Sequence, residues 1–379
     1  MKRVILSGGG TGGHIYPALT IAHEIGELTE AEFLFVGTPE GMEARIIPQE
    51  GYAFAAMPAE GLKRKITLEN LRILMKTGTS LWKARSVLRR FRPDVVIGTG
   101  GYVCGPILLA AALERIPTMI QEQNVIPGVT NRILSHFVDV VALGYEDARS
   151  RFAKPGRCLW TGNPIRSDIV RADREESRKK LGIASSDFMV LTAGGSRGAR
   201  TINRAMEGVH RHFRETPGIC LYHVTGRGEY DQVCRDLDGV DGDGRFGAGS
   251  RLVPYQDDMP AALAAADLVI YRAGAVGLAE LAARGLPSIL IPYPYAAEDH
   301  QTYNARVLVA AGAAKMITDA CLTADELIQD IEHMRLHPDE LACMAKASAG
   351  LGHPEAGREI AETALKLADQ RKEKLNGSY

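Results

Sequence analysis

Short apolar runs of four to six residues recur along the chain, and most are followed by a turn cluster and a helical pattern. The runs Arg3–Leu6, Glu32–Val36, Asp94–Ile97, Thr118–Gln121 and Val138–Leu143 read as strands with helical segments between them. The first leads into Gly8–Gly13 and a helix from His14 to about Leu28. After Thr161-Gly162-Asn163-Pro164 the same order restarts with a strand at Phe188–Thr192, a glycine loop over residues 194–200 and a helix. Leu268–Tyr271 and Ser288–Ile291 are further strands of this second unit. Strands alternating with helices build parallel sheets covered on both faces. The pattern therefore predicts an α/β protein of two tandem Rossmann-like domains facing a cleft, residues 1–163 and 164–352. A last helix, from Pro354 to about Lys374, places Ile360, Ala364 and Leu367 on one stripe; segment 353–379 is expected to pack back on the N-terminal domain.

Composition narrows the class. With 379 residues, 45% hydrophobic and 24% charged, the chain builds real cores and fits two to three domains. Lys plus Arg number 45 against 46 Asp plus Glu, a balance that argues against a nucleic-acid partner. Six cysteines lie far apart with no Cys-x-x-Cys pair, which suggests neither a disulfide framework nor a zinc site. The apolar start of the chain stops at Ser7, too short for a signal-peptide core. Val95–Leu113 holds 19 residues without a charge, but Gly98, Gly100, Gly101, Gly105 and Pro106 break it into a buried strand, a glycine turn and a helix starting near Pro106. It is not read as a membrane span.

Four glycine loops carry the candidate chemistry. In Gly8-Gly9-Gly10-Thr11-Gly12-Gly13-His14, glycines allow tight turns and close N–H approach to a ligand, and the following helix presents its positive end. The run satisfies the dinucleotide fingerprint literally, yet Phe35-Val36-Gly37-Thr38 lacks the ribose-binding acid such sites need. A histidine at a helix start is usually a capping or partly buried one. His14, however, sits beside a phosphate-shaped loop where the helix end favours the neutral ring, which makes it the best general-base candidate. The other loops are Gly98–Gly105 around Tyr102, Gly194–Gly198 around Ser196, and Arg272-Ala273-Gly274-Ala275. Glu280, six residues beyond Gly274, is either an exposed helix carboxylate or an acceptor for two sugar hydroxyls. Several loops at strand ends suggest a ligand with more than one phosphate.

Charge is locally segregated. Between Gly61 and Arg92 ten basic residues, Lys63, Arg64 and Lys65 among them, face one acid, Glu69. Leu71, Leu74, Met75 and Trp82 lie in the same stretch, so it reads equally as a seat on anionic lipid or as a solvated basic helix over ordinary core. Asp241-Gly-Asp243 matches a metal-holding Asp-x-Asp, but its Gly/Asp-rich context favours a surface turn. No essential protein-bound metal and no cofactor is expected.

Taken in order, GGGTGGH-x-x-P (8–17), GTGGYVCGP (98–106), EQN-x-x-x-G-x-x-N (122–131), TGNPIR (161–166), GGSRGAR (194–200), DDM (257–259), RAGA…E (272–280) and HQTYNA (300–305) resemble the MurG family. These are bacterial cell-wall N-acetylglucosaminyltransferases with the glycosyltransferase-B fold. The resemblance implies inverting transfer of N-acetylglucosamine from UDP-GlcNAc, a substrate, to the 4-hydroxyl of the muramoyl sugar on an undecaprenyl-diphosphate acceptor. It places Arg166, Ser196 and Ala275 by the donor diphosphate, Gln256 near the uracil through backbone, Glu280 on the ribose, and Gln301 with His300 on the transferred sugar. Thr11, Gly12 and Gly13 would lie near the diphosphates and Asn124 near the reacting sugars. Gly100, Gly101 and Tyr102 would receive the acceptor, and His14 would be the base. It also implies peripheral seating on the cytoplasmic face of the membrane, with other cell-wall synthesis proteins as candidate partners. Two features depart from the family pattern: Arg197 stands where Gln is usual, and the loop between Pro292 and His300 is about one residue longer than in some relatives. The rival readings are a UDP-GlcNAc epimerase of the same fold, a diacylglycerol glycosyltransferase and a non-catalytic sugar-nucleotide-binding subunit.

Overall fold

The computed structural model describes residues 1–57, 68–195 and 198–376, with side chains described for 1–57, 80–195 and 198–371. The chain forms two compact units, Met1–Ile165 with Glu355–Tyr379, and Arg166–Pro354. Among the described residues each holds a seven-stranded sheet.

In the first unit the strands are β1 (Lys2–Gly8), β2 (Ala31–Gly37), β3 (Ala53–Ala56), β4 (Val95–Gly100), β5 (Thr118–Glu122), β6 (Val140–Leu143) and β7 (Cys158–Trp160). They lie in the order β3-β2-β1-β4-β5-β6-β7, and every pairing is parallel. Period-2 alternation with apolar residues on both faces explains this. Val4 and Leu6 pack in one core with Ile15, Ile21 and Ile25 of helix Gly12–Leu28, whereas Ile5 packs in the other with Leu88, Ile107 and Leu108. Full burial of each large aliphatic side chain contributes about 1.5–3 kcal/mol, so both faces need a helical cover. On the first face that cover is completed by the last helix, Ala356–Asn376, through Ile360, Ala361, Ala364 and Ala368.

The second unit's strands are β8 (Phe188–Ala193), β9 (Ile219–Val224), β10 (Arg245–Phe246), β11 (Ser250–Val253), β12 (Leu268–Tyr271), β13 (Ser288–Leu290) and β14 (Ala314–Met316). Their order is β10-β11-β9-β8-β12-β13-β14, parallel except for the antiparallel β10–β11 edge. Asp241 and Asp243 lie just before β10. An Asp241 carboxylate oxygen accepts the Asp243 and Arg245 N–H groups at 2.9 and 2.8 Å, which builds a turn.

A buried polar chain runs through this unit. Asn203 donates to the Thr225 carbonyl at 3.0 Å, so its Oδ1 accepts from His223 Nε2, also at 3.0 Å. His223 Nδ1 must then accept from His210 Nε2 at 3.2 Å, and His210 Nδ1 accepts the Ser250 hydroxyl at 2.8 Å. All bonds run one way only while both rings are neutral. Burial pushes His210 well below the ordinary histidine value and His223 to about 3.

Candidate functional site

Each sheet reverses its strand order once beside its first strand, between β1 and β4 and between β8 and β12. Open α/β sheets bind ligands outside the carboxyl ends of strands at such a point. The glycine loops stand there because β1 ends at Gly8, β4 at Gly100, β8 at Ala193 and β12 at Tyr271.

In the first unit Thr11 is the extended cap residue before helix Gly12–Leu28, whose first turn holds Gly12, Gly13 and His14. The unpaired N–H groups of a helix start project toward whatever lies ahead of it. His14 is half-buried, and its Nδ1 lies 2.9 Å from the Thr99 carbonyl and 3.1 Å from Gln123 Oε1. Gly100, at φ +111°, lies flat against the ring: a Cβ there would come within 2.7 Å of it. Gly101, at φ +89°, approaches the Gly9 backbone just as closely. Tyr102 is 65% exposed beside them. The expected loop Gly98–Gly105 is shorter than predicted. Gly98 and Gly100 belong to β4, and Gly105 lies in helix Cys104–Leu113, which starts two residues ahead of Pro106. Gly98 is there for packing, because a Cβ would strike Leu108 at 2.2 Å.

Two buried acids, absent from the sequence reading as site residues, hold this corner. Glu43 is 1% exposed and accepts the N–H groups of Gly10 and Thr38, each at 3.0 Å, and the Thr38 hydroxyl at 2.6 Å. Burial alone would raise its carboxyl, but these hydrogen bonds outweigh it and hold the group below its ordinary value. Gly10 therefore gives its N–H to a carboxylate of the chain itself, and the anion-binding capacity of this loop rests on Thr11–Gly13. Glu122, also 1% exposed, accepts from the Asn124 N–H at 3.0 Å and its amide at 3.2 Å, and from Gly128 N–H and Asn131. It thus sets the position of half-buried Asn124, the residue after Gln123.

In the second unit Gly195 and Gly198 adopt φ +87° and +75°, and a Cβ on Gly198 would strike the Thr225 carbonyl at 2.4 Å. That carbonyl is the terminus of the histidine chain, so the buried network supports the glycine loop. Ser196 and Arg197 lie outside the described residues. Gly274 caps helix Ala275–Arg284, with Ala275 buried at its first position. Glu280 is half-buried on this helix. Burial pushes its carboxyl up to about 7, with Arg166 drawing it down and Asp168 adding to the rise. The fourth loop's cation is not available for a phosphate: Arg272 bonds Asp319 at 2.5 Å, Thr201 at 3.0 Å and the Ile291 and Pro292 carbonyls at 3.2 Å.

Side chains of the remaining candidates are partly engaged. The Gln256 amide bridges the Tyr222 hydroxyl at 3.1 Å and the Asp258 carbonyl at 2.7 Å. Gln301 Oε1 accepts the Tyr293 N–H at 2.9 Å, and His300 Nδ1 bonds the Ala297 carbonyl at 2.8 Å. Before them Glu298 and Asp299 both sit at positive φ, 53° and 54°, a costly conformation in the loop already singled out as long. Asn304 ties this helix to the fourth loop through the Ala273 carbonyl at 3.4 Å.

Of the basic-apolar stretch, Lys63, Arg64 and Lys65 lie outside the described residues, as do the side chains of Leu71, Leu74 and Met75. Trp82 is 74% exposed. It stands on helix Leu68–Phe91, which packs on helix Cys104–Leu113, and that helix packs on Val129–Leu134. These neighbours also expose Leu113, Val129 and Ile133, and Phe137 follows them. Among the described residues no helix is long and apolar enough to cross a membrane.

Residues 4–143 match the model of the glycosyltransferase family 28 N-terminal domain, and residues 189–360 that of its C-terminal domain. The chain belongs to glycosyltransferase family 28. A family 28 relative from Desulforudis audaxviator, named UDP-N-acetylglucosamine–N-acetylmuramyl-(pentapeptide) pyrophosphoryl-undecaprenol N-acetylglucosamine transferase, is 47% identical over 97% of this chain and 98% of its own. The crystal structure of Acinetobacter baumannii MurG aligns with a TM-score of 0.77 at 27% identity, covering 97% of this chain and all of that one. A UDP-GlcNAc 2-epimerase from Neisseria meningitidis aligns at 0.64 with 16% identity over 97% of this chain and 100% of that one, a likeness of fold alone.

Proposed function

We propose that this chain transfers N-acetylglucosamine from UDP-GlcNAc to the 4-hydroxyl of the muramoyl sugar in undecaprenyl-diphosphoryl-MurNAc-pentapeptide, converting lipid I to lipid II in peptidoglycan synthesis. The observation that carries the reading is the 47% identity over almost the whole chain to a transferase of that name. The site residues fit the chemistry. His14 Nε2 takes the proton of the attacking hydroxyl. The oxygen bonds to C1 on the face opposite the leaving group, the C1–O bond breaks, and UDP departs with inversion. Helix starts at Gly12 and Ala275 and the glycine backbone at Gly195 offer N–H groups for the diphosphates, and Ser196 lies by the donor diphosphate. Glu280 takes the ribose hydroxyls with Arg166 beside the diphosphate, Gln256 lies near the base, and Gln301 with His300 meets the transferred sugar. Thr11, Gly12 and Gly13 lie by the diphosphates, Asn124 by the reacting sugars, and Gly100, Gly101 and Tyr102 receive the acceptor.

His14→Ala should lower kcat about 10²- to 10⁴-fold, the range for a general base, with the donor KM little changed. Unchanged turnover would remove His14 as the base. The reaction is assigned no protein-held metal, a reading supported by the Asp241 carboxylate being taken up in its own turn.

The protein sits peripherally on the cytoplasmic face of the membrane, where other cell-wall synthesis proteins meet it. The exposed Trp82, Leu113, Val129, Ile133 and Phe137 beside the basic stretch support this seat. Trp82→Ala should weaken binding to vesicles containing anionic lipid while sparing hydrolysis-free donor binding. Equal vesicle binding by the two proteins would contradict the seat.

A further inference from the structure

His14 is held by a chain of buried amides whose orientation leaves one solution for its proton. Gln121, Gln123 and Asn163 are 0%, 2% and 3% exposed. The Gln123 side-chain nitrogen faces three oxygens: the Thr99 carbonyl at 2.6 Å, the Gln121 carbonyl at 3.2 Å and Gln121 Oε1. Flipping that amide would set oxygen against oxygen three times. Gln121 is fixed in turn, because its own nitrogen donates to Asn163 Oδ1 at 2.9 Å, while Asn163 donates to the Gln123 carbonyl at 3.0 Å. Gln123 Oε1 therefore points at His14 Nδ1 from 3.1 Å, with the Thr99 carbonyl at 2.9 Å, and two acceptors require that Nδ1 carry a proton.

We propose that Gln123 is a positioning residue that locks His14 in its Nδ1–H tautomer, so that Nε2 is the basic nitrogen. The proposal rests on the reading of His14 as the base and says why this ring is ready for the task. The partner is a neutral amide, so it orients the imidazole without the charge that would make the imidazolium persist. A carboxylate in the same place would raise the affinity of the ring for its proton and keep it protonated, and hence inactive as a base, to higher pH. The clamp belongs wholly to the first unit, and Gly100 lets the ring lie flat against the backbone that supplies the Thr99 acceptor.

The test uses the full-length protein with ¹⁵N-labelled histidine, the His14 signals being identified by their loss in His14→Gln. Wild type should show a protonated Nδ1 and a non-protonated Nε2 at neutral pH. In Gln123→Glu the second carboxyl oxygen meets the Thr99 and Gln121 oxygens and favours a proton there; once ionised, the carboxylate should move the His14 protonation midpoint up by about one unit, since an opposite charge within a few ångströms typically shifts a titrating group by 1–3 units. The acid limb of kcat/KM should move up with it, while Gln123→Leu should cut kcat at least tenfold with the donor KM within about twofold. The other titratable groups around this corner are Glu43 under the glycine loop, Glu122 under Asn124, Cys104 and Tyr102 after β4, and Tyr16 on the same helix. They are common to wild type and Gln123→Glu, so the difference between the two reads the new charge. A wild-type ring protonated on Nε2, or a His14 midpoint unmoved in Gln123→Glu with the new carboxyl ionised as read from its ¹³C shift, would overturn the clamp. A midpoint that moves without the rate limb would uphold the clamp and overturn His14 as the base.

Discussion

Glu280 should make donor recognition depend on pH. Burial pushes its carboxyl from 4.5 up to about 7 against the pull of Arg166. A ribose diol donates two O–H bonds, and only the ionised carboxylate keeps both oxygens free of a proton to accept them. If that form alone binds, the apparent donor KM scales as one plus the ratio of proton concentration to the acid constant. With the carboxyl at about 7 this factor is about 1.1 at pH 8, about 2 at pH 7 and about 11 at pH 6. The donor KM should thus rise roughly tenfold from pH 8 to 6, and titration calorimetry below pH 7 should show proton release on donor binding. Glu280→Gln should flatten the profile and raise the KM at pH 8 about tenfold or more, the scale of hydrogen bonds to a charged acceptor. The shift has a stability side too. Between 4.5 and about 7 the unfolded chain is ionised while the folded one keeps its proton, so stability falls as pH rises through that window. At about 1.4 kcal/mol per unit the loss reaches about 3 kcal/mol by pH 8, and Glu280→Gln should recover most of it in urea unfolding. A wild-type donor KM that stays flat between pH 8 and 6, or a Glu280→Gln protein less stable than wild type at pH 8, would refute the reasoning.

Two other buried groups give further expectations. His210 and His223 stay neutral when folded, whereas the unfolded chain protonates both near 6.5. Stability should therefore fall as pH drops from 6.5 to 5, by about 2 kcal/mol per ring. This is best measured by urea unfolding in the Glu280→Gln background, because wild-type Glu280 contributes the opposite slope there; a flat curve would count against the neutral chain. Glu43→Ala strips the acceptor from Gly10, from the Thr38 N–H and from the Thr38 hydroxyl. At about 0.5–1.5 kcal/mol for each of these three part-buried hydrogen bonds the loss should total about 2–5 kcal/mol, with kcat falling more than the donor KM rises. A loss under about 1 kcal/mol would mean that the loop holds its shape without the carboxylate.

Much of the fold is legible in the chain because parallel strands buried on both faces are continuous apolar runs, and the glycine loops fall where those runs end. The strands left out of the sequence reading are β3, β7, β9, β10, β11 and β14, and they escape notice for different reasons. β3 is Ala-Phe-Ala-Ala and β14 is Ala-Lys-Met, too short and too alanine- or lysine-bearing to stand out, while β9 carries His223 in its interior. β10 is two residues long and exists through its antiparallel partner. The site was legible by position and less so by partner. His14 and Asn124 are visible beside loops at strand ends, and Glu280 in the helix that follows the fourth loop. Glu43 is not, because an isolated acid reads as surface and its role arises only when the fold brings Gly10, 33 residues away, onto it. Gln123 sits inside a motif that the sequence brings to notice, yet its bond to His14 spans 109 residues. Arg272 is a further case: it stands at the fourth glycine loop, and the fold commits its guanidinium to Asp319, 47 residues away.

The most direct test of the central claim is a transfer assay with purified protein. It uses labelled UDP-GlcNAc, with and without a polyprenyl-diphosphoryl-muramoyl-pentapeptide acceptor, in the presence of EDTA. Label should enter the lipid product only when the acceptor is present, at a rate unaffected by the chelator. Label that stays on the nucleotide sugar with acceptor present, whether epimerised or merely bound, would contradict the assignment as a transferase.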